Sequence, residues 1–233
     1  MKKTTLLLAA LLLLLPMSAG ARNLFDMRLG FTGMYVGPTV SMEDGEPVGF
    51  FEGVKEGENW GFGGELSMRF SVIRLSATLF STQLHQSQLD TAQLNGVGLA
   101  VPTASTGGIR MLATLGFSFP IINNCLNLEL GTGLGMRFML PKTGDAYCAF
   151  PDYGSGGYVG IPMSSITFMD VLNKSPWHFR IGLDLTIGPF GVSAFYLMET
   201  KATVEGFGAA GGWSRLFQQN TGSLGIGITL SLF

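Results

Sequence analysis

From Phe25 onward, large apolar residues recur at every second position and polar or small residues fill the gaps. A period of two predicts strands rather than helices. The pattern is plainest in residues 126–140, LNLELGTGLGMRFML. There every even position except Thr132 is large and apolar, and the odd positions hold Asn127, Glu129, three glycines, Arg137 and Met139. Seven further runs repeat it: Phe25–Tyr35, Phe62–Phe70, Ile73–Leu79, Ile109–Phe119, Trp177–Ile187, Phe190–Met198 and Leu224–Leu232. Each predicts a strand with one greasy face and one face of Gly, Ser, Thr and charge.

The connections between runs alternate in length. Ser71–Val72, the stretch from Pro120 to Cys125, and Gly188–Pro189 are short, whereas 38–59, 84–107, 141–176 and 201–221 are long. Short turns at one end and long loops at the other predict an all-β fold: an eight-stranded antiparallel up-and-down transmembrane β-barrel. Its short turns and both termini would lie on the periplasmic side, its long loops outside the cell.

Composition decides which face meets which medium. The chain is 46% hydrophobic and 13% charged with 34 glycines, against about a quarter charged residues in ordinary soluble domains. A water-soluble barrel would display its polar faces, dense in Lys, Arg, Glu and Asp, to solvent. Here Lys55, Lys142, Lys174 and Lys201 all fall in long connections or at their edges. The charges inside the runs are Asp26, Arg28, Glu65, Arg69, Arg74, Arg110, Glu129, Arg137, Arg180, Asp184 and Glu199, all on the polar face, with His178 beside them. Six arginines against five carboxylates suit a crowded lumen in which guanidinium groups pair with carboxylates. Eight strands enclose a bore just wide enough for side chains to fill, which gives the glycines a reason of volume. The apolar face then looks into lipid. Aromatics gather at the run ends, with Phe25, Phe70, Phe119 and Phe190 near the short turns and Tyr35, Trp60, Trp177 and Tyr196 toward the long loops, as at the two interfaces of a bilayer.

The first residues predict export. Lys2 and Lys3 precede an apolar run from Leu6 to Leu15, then Pro16 and Ala19-Gly20-Ala21, the signature of a signal peptide cleaved after Ala21. The run is well short of the roughly 20 residues of a helical span. Residues 22–233 then form the barrel domain, in the bacterial outer membrane. With its leader, eight runs and terminal Phe233, the chain resembles the small outer-membrane barrel families: the OmpA transmembrane domain, OmpX, the opacity proteins and OmpW. The resemblance rests on architecture over nearly the whole mature chain. It implies that the last strand, ending at Phe233, is recognised by the barrel assembly machinery. The chain departs from the pattern in that residues 224–232 alternate out of phase with Phe233.

Candidate chemistry is sparse. His85-Gln86-Ser87 is similar to the His-x-Ser of the lipid A deacylase PagL, but no orienting carboxylate accompanies it, so a polar loop edge is the better reading. Cys125 and Cys148 fall at opposite ends of one strand, too far apart for a disulfide. No His, Cys and carboxylate cluster has metal-ligand spacing, no cofactor is implied, and GSGG and AAGG lack the setting of a phosphate-binding loop. The net charge of −2 offers nothing to nucleic acid.

The outer loops carry whatever specificity exists. Loop one is acidic, with Phe50 and Phe51, and loop three holds IPMSSITFMDVLNK, where Ile166, Met169 and Leu172 would share one helical face. Together with the inward Met139, Phe50, Phe51, Ile166 and Met169 make a candidate apolar mouth. They favour a non-enzymatic, narrow, OmpW-like conduit for small apolar solutes. The alternative is a closed barrel for envelope integrity or surface display, like OmpX or an opacity protein, motivated by the near-balanced lumen charge. A lipid A-modifying enzyme is the minor alternative.

Overall fold

A computed structural model of the chain describes residues 25–35, 41–43, 46–48, 54–55, 60–84, 92–94, 97–98, 106–122, 125–140, 146–152, 157–208 and 212–232. Eight long strands form the wall: β1 (Phe25–Tyr35), β2 (Trp60–Phe70), β3 (Ile73–Leu84), β4 (Thr106–Ile122), β5 (Leu126–Leu140), β6 (Pro176–Ile187), β7 (Phe190–Thr203) and β8 (Gln219–Ser231). Each pairs antiparallel with the next, and β8 pairs antiparallel with β1, with Arg28 opposite Ser231 and Tyr35 opposite Leu224. The ring therefore has no free edge, the condition a sheet must meet to exist in lipid. The expected eight strands and their order are those found. The left-handed backbone that tight hairpins require appears at Ser71 (φ 56°) between β2 and β3 and at Gly188 (φ 60°) between β6 and β7.

Burial is inverted relative to a water-soluble protein. Large apolar side chains lie on the outside, with Phe31 58% and Ile228 62% exposed, while Thr32, Thr78, Glu65 and His178 are buried inside. The rings Phe31, Phe62, Trp60 and Tyr35 form a continuous ladder up the outside of β1 and β2, at 5.9 to 6.3 Å between successive centroids. Phe25 and Phe70 meet at 4.8 Å beside the short turns. The one polar residue on the outward face of β5, Thr132, donates its hydroxyl to the His178 carbonyl at 3.0 Å, so it carries no unmet polar group into lipid.

Two departures from the expected pattern matter for the site. Met136 and Phe138 have the parity of lipid-facing residues, yet Met136 is buried and Phe138 half-buried. The reason lies in the wall itself. β5 pairs with β6 only up to Leu134 opposite Trp177. Above that level a hairpin, Tyr147–Asp152 with Gly157–Pro162, takes the place of β6 by pairing Tyr147 to Ala149 with Met139 to Arg137. Cys148 and Phe150 of this hairpin pack against Met136, with Phe138, Ile161, Ile166 and Val171 around them. The second departure is that inward positions are not all polar, since Met34, Phe80, Leu112, Phe195 and Leu197 are buried together.

An arginine at Ile226, mid-strand on the outward face of β8, is expected to cost about 2–4 kcal/mol in a bilayer, read by denaturant titration of protein refolded into vesicles. A change within about 0.5 kcal/mol, the usual size of a water-facing surface substitution, would contradict the lipid-facing assignment.

Candidate functional site in the barrel lumen

Strand register sets arginines directly opposite one another inside the barrel: Arg69 faces Arg74, and Arg110 faces Arg137. Like charges so placed repel across a strand pair. Carboxylates on the lumen face resolve each clash. Asp26 takes Arg69 at 3.2 Å, Glu65 takes Arg74 at 2.5 Å, and Glu129 also contacts Arg74. Glu199 reaches across from β7 to bind both Arg110 and Arg137, the latter at 3.0 Å.

The charges stack in tiers along the axis. Nearest the short turns, Arg28 binds Asp26 at 2.7 Å and Asp184 at 2.8 Å and donates to Thr186 at 3.1 Å. Ser231 at the end of β8 adds a hydrogen bond to Asp26 at 2.9 Å. In the middle, Glu65 receives Arg180 at 2.9 Å and the Thr78 hydroxyl at 3.4 Å as well as Arg74. Uppermost is Glu199 between its two arginines, with His178 Nε2 2.8 Å from the Thr114 hydroxyl. Every charged residue expected in the lumen network, and His178, thus makes a lumen contact. Buried ion pairs barely repay their desolvation, but removing one partner is costly. The network therefore fills and specifies the bore more than it stabilises it.

Between the middle and upper tiers lies a layer that the alternation alone did not reveal. Met34, Phe80, Leu112, Phe195 and Leu197 point inward and cluster, each no more than 4% exposed. Glycines on neighbouring strands make room for them. Phe195 pairs with Gly182 on one side and Gly225 on the other, Phe80 with Gly63, and Leu112 with Gly135. A Cβ on Gly182 would come within 2.8 Å of that of Phe195, and one on Gly225 would overlap the phenyl ring. The Arg180 guanidinium lies 3.9 Å from the centre of the Phe195 ring, which ties the apolar layer to the charged tier below by a cation–π contact. Two cavities of about 10 Å³ flank Arg74 and Glu129, each about the size of one water molecule.

Of the candidate apolar mouth, the three residues among those described, Met139, Ile166 and Met169, do not come together. Met139 is inward and 1% exposed, Ile166 packs on the opposite, outer face against the Cys148 cluster, and Met169 is 58% exposed away from both. Phe50 and Phe51 lie outside the described residues. The short helix of loop three, α1 (Phe168–Lys174), is capped by Thr167, so Ile166 lies before the cap and shares no helical face with Met169. The Thr167 hydroxyl accepts from Asp170 N at 3.1 Å, and Thr167 N donates to the Asp170 carboxylate at 3.0 Å. Val171 rather than Met169 then faces the cluster. Cys148 is a buried member of that cluster, its thiol pushed up to about 11 by burial and directed at Met163 Sδ at 3.4 Å. It and Cys125 are both free. Among the described residues no group of three His, Cys, Asp or Glu is arranged to hold a metal ion. His85 and Ser87 lie outside the described residues.

The inward apolar layer had a signal in the sequence. Met34, Phe80, Leu112, Phe195 and Leu197 share the parity of Arg28, Arg74, Arg110 and Glu199 on their own strands. What marks them as a plug is the glycine beside each bulky ring, and that is visible only once register is known.

Glu65→Gln leaves Arg74 and Arg180 short of a shared carboxylate and is expected to cost about 3–5 kcal/mol. Gly225→Val overfills the space of Phe195 and is expected to cost about 1–3 kcal/mol. Both are read by the same vesicle titration, and a neutral result for either would contradict the packing described.

No protein-family model and no curated protein matches the chain. Among solved structures it is similar to Ail, the attachment invasion locus protein of Yersinia pestis, with a TM-score of 0.40 and 12% identity over 89% of this chain and 97% of that one. It is also similar to the P. putida toluene transporter TodX, with a TM-score of 0.28 and 15% identity over 82% of this chain, and spans only 53% of the transporter's length. The chain's own ring of eight antiparallel strands and its inverted burial make it a small β-barrel of the outer-membrane type.

Proposed function

We propose that this protein is an integral, non-catalytic barrel of the bacterial outer membrane whose lumen is closed, and that it works by holding a folded outer-loop structure at the cell surface, for envelope integrity or display. On this reading residues 1–21 are the cleaved leader, and the last strand serves the assembly machinery.

The observation that carries the proposal is the filled cross-section. A solute crossing the barrel would have to part the two arginines on Glu199, displace Phe195 from between Gly182 and Gly225, and separate Arg74 from Glu65 and Glu129. These groups come from strands on opposite sides of the lumen, so no single side-chain rotation clears the path. The conduit reading drew on a loop lining that Met139, Ile166 and Met169 do not form. The outer side offers more to build on, since the hairpin Tyr147–Pro162 is hydrogen-bonded into the wall and extends through Tyr158–Gly160 to a strand of the preceding loop, Ala92–Leu94. A tethered sheet of this kind presents a fixed outer surface.

Refolded protein is expected to give no discrete conductance steps in planar bilayers and no acceleration of apolar dye uptake into vesicles beyond that of protein-free controls. Stepwise conductance or dye flux through the wild-type protein would overturn the closed-barrel reading and restore the conduit.

A further inference from the structure

Loop four does not rise away from the barrel. It folds into two 3-10 turns, Glu205–Gly208 and Gly212–Phe217, that lie against the outside of the wall. Phe207 packs on Trp177 at 6.0 Å between ring centroids, and Trp213 stacks on Phe207 at 4.6 Å and 11°. Trp177 has the outward parity of Phe179 and Ile181. The stack therefore continues the apolar outer face of β6 upward into the loop.

The loop is held in this place. Thr203 Oγ1 accepts from Gly206 N at 3.0 Å, Lys201 N donates to the Gln218 carbonyl at 2.9 Å, and Gly212 is buried where any side chain would strike the Gly206 carbonyl. Helix α1 packs beside the first turn. The result is a collar outside β6 and β7 whose remaining apolar groups face outward: Phe217 is 85%, Phe168 74%, Trp213 67% and Met169 58% exposed. Phe217 and Phe168 are the two most exposed large apolar residues among those described.

Height identifies what covers them. From Ile187 at the short turn to Trp177, β6 rises roughly 25 Å at ordinary strand rise and barrel tilt, the height of a lipid-facing apolar band. Trp177 thus marks the upper edge of the hydrocarbon, and the collar begins where the headgroups begin. Rings with one apolar and one wet side favour that layer. The loop's own charges, Lys201 and Arg215 against Glu205, leave a basic excess suited to lipid phosphates, while Asp170 and Lys174 of α1 neutralise each other at 3.3 Å.

We propose that the collar formed by α1 and the two turns of loop four is a lipid-docking surface that seats in the headgroup and upper acyl region of the outer leaflet, with Trp213, Phe217, Phe168 and Met169 as the immersed groups. Loop four is then part of the membrane anchor rather than of the displayed surface. The inference rests on the barrel crossing a bilayer and is independent of whether the lumen conducts.

The chain has three tryptophans, Trp60, Trp177 and Trp213, so Trp60→Phe with Trp177→Phe leaves Trp213 as the reporter. Refolded into phosphatidylcholine vesicles brominated near the headgroup end of the acyl chains, this protein is expected to lose about half its emission relative to unbrominated vesicles, as for an interfacial indole. Aqueous iodide is expected to quench it little. Ready quenching by iodide with no effect of bromine would overturn the proposal by placing the collar in water. Insensitivity to both quenchers, with emission that changes with protein-to-lipid ratio, would overturn it in favour of a second copy of the chain. A second reporter, Phe217→Trp in a background with all three native tryptophans replaced by Phe, repeats the measurement should the first variant not refold, with barrel formation checked by heat-modifiable gel migration.

Discussion

Closure is the constraint on which the rest depends. A sheet in lipid must pair its last strand with its first, and here β8 meets β1 across Arg28 to Tyr35. Once eight strands close, the bore is fixed at about the width of the side chains lining it, and every inward residue must fit against those opposite. Both features of the interior follow. Charges must be paired because neither bulk water nor lipid is there to solvate them, and each large ring must be matched by a glycine.

The two packing systems of the lumen depend on each other. Arg180 belongs to both, through its ion pair with Glu65 and its position over the Phe195 ring. The apolar layer excludes water from the charged tiers and so strengthens their electrostatics, while the charged tiers hold the strands at the register that puts Gly182 and Gly225 beside Phe195. Loss of either is felt by the other. Such coupling suits a barrel meant to stay shut better than one whose interior must rearrange to pass a solute.

Much of this was legible in the chain. The period of two gave the eight strands and the side on which each charge lies, and the alternation of short and long connections gave the up-and-down order. Three things were not. Which carboxylate meets which arginine is decided by tilt and register, so Arg28 finds Asp184 and Arg180 finds Glu65 across the barrel. The inward role of Phe195 was hidden because a phenylalanine looks the same on either face until its glycine neighbours on β6 and β8 are known. Met136 and Phe138 kept the parity of lipid-facing residues, but a later hairpin covers them. In each case the missing information was non-local.

The hairpin Tyr147–Pro162 illustrates what that non-locality means for the protein as a modular object. Drawn along the chain it is a loop, the part of a barrel ordinarily treated as interchangeable between relatives. In three dimensions it is masonry, laid against Arg137 to Met139 in the course that β6 leaves open. Exchanging or shortening it would leave the top of β5 with unpaired backbone and bare the Met136 cluster. The outer surface this barrel shows to its surroundings is therefore built in part from its wall, and a change to one is a change to the other.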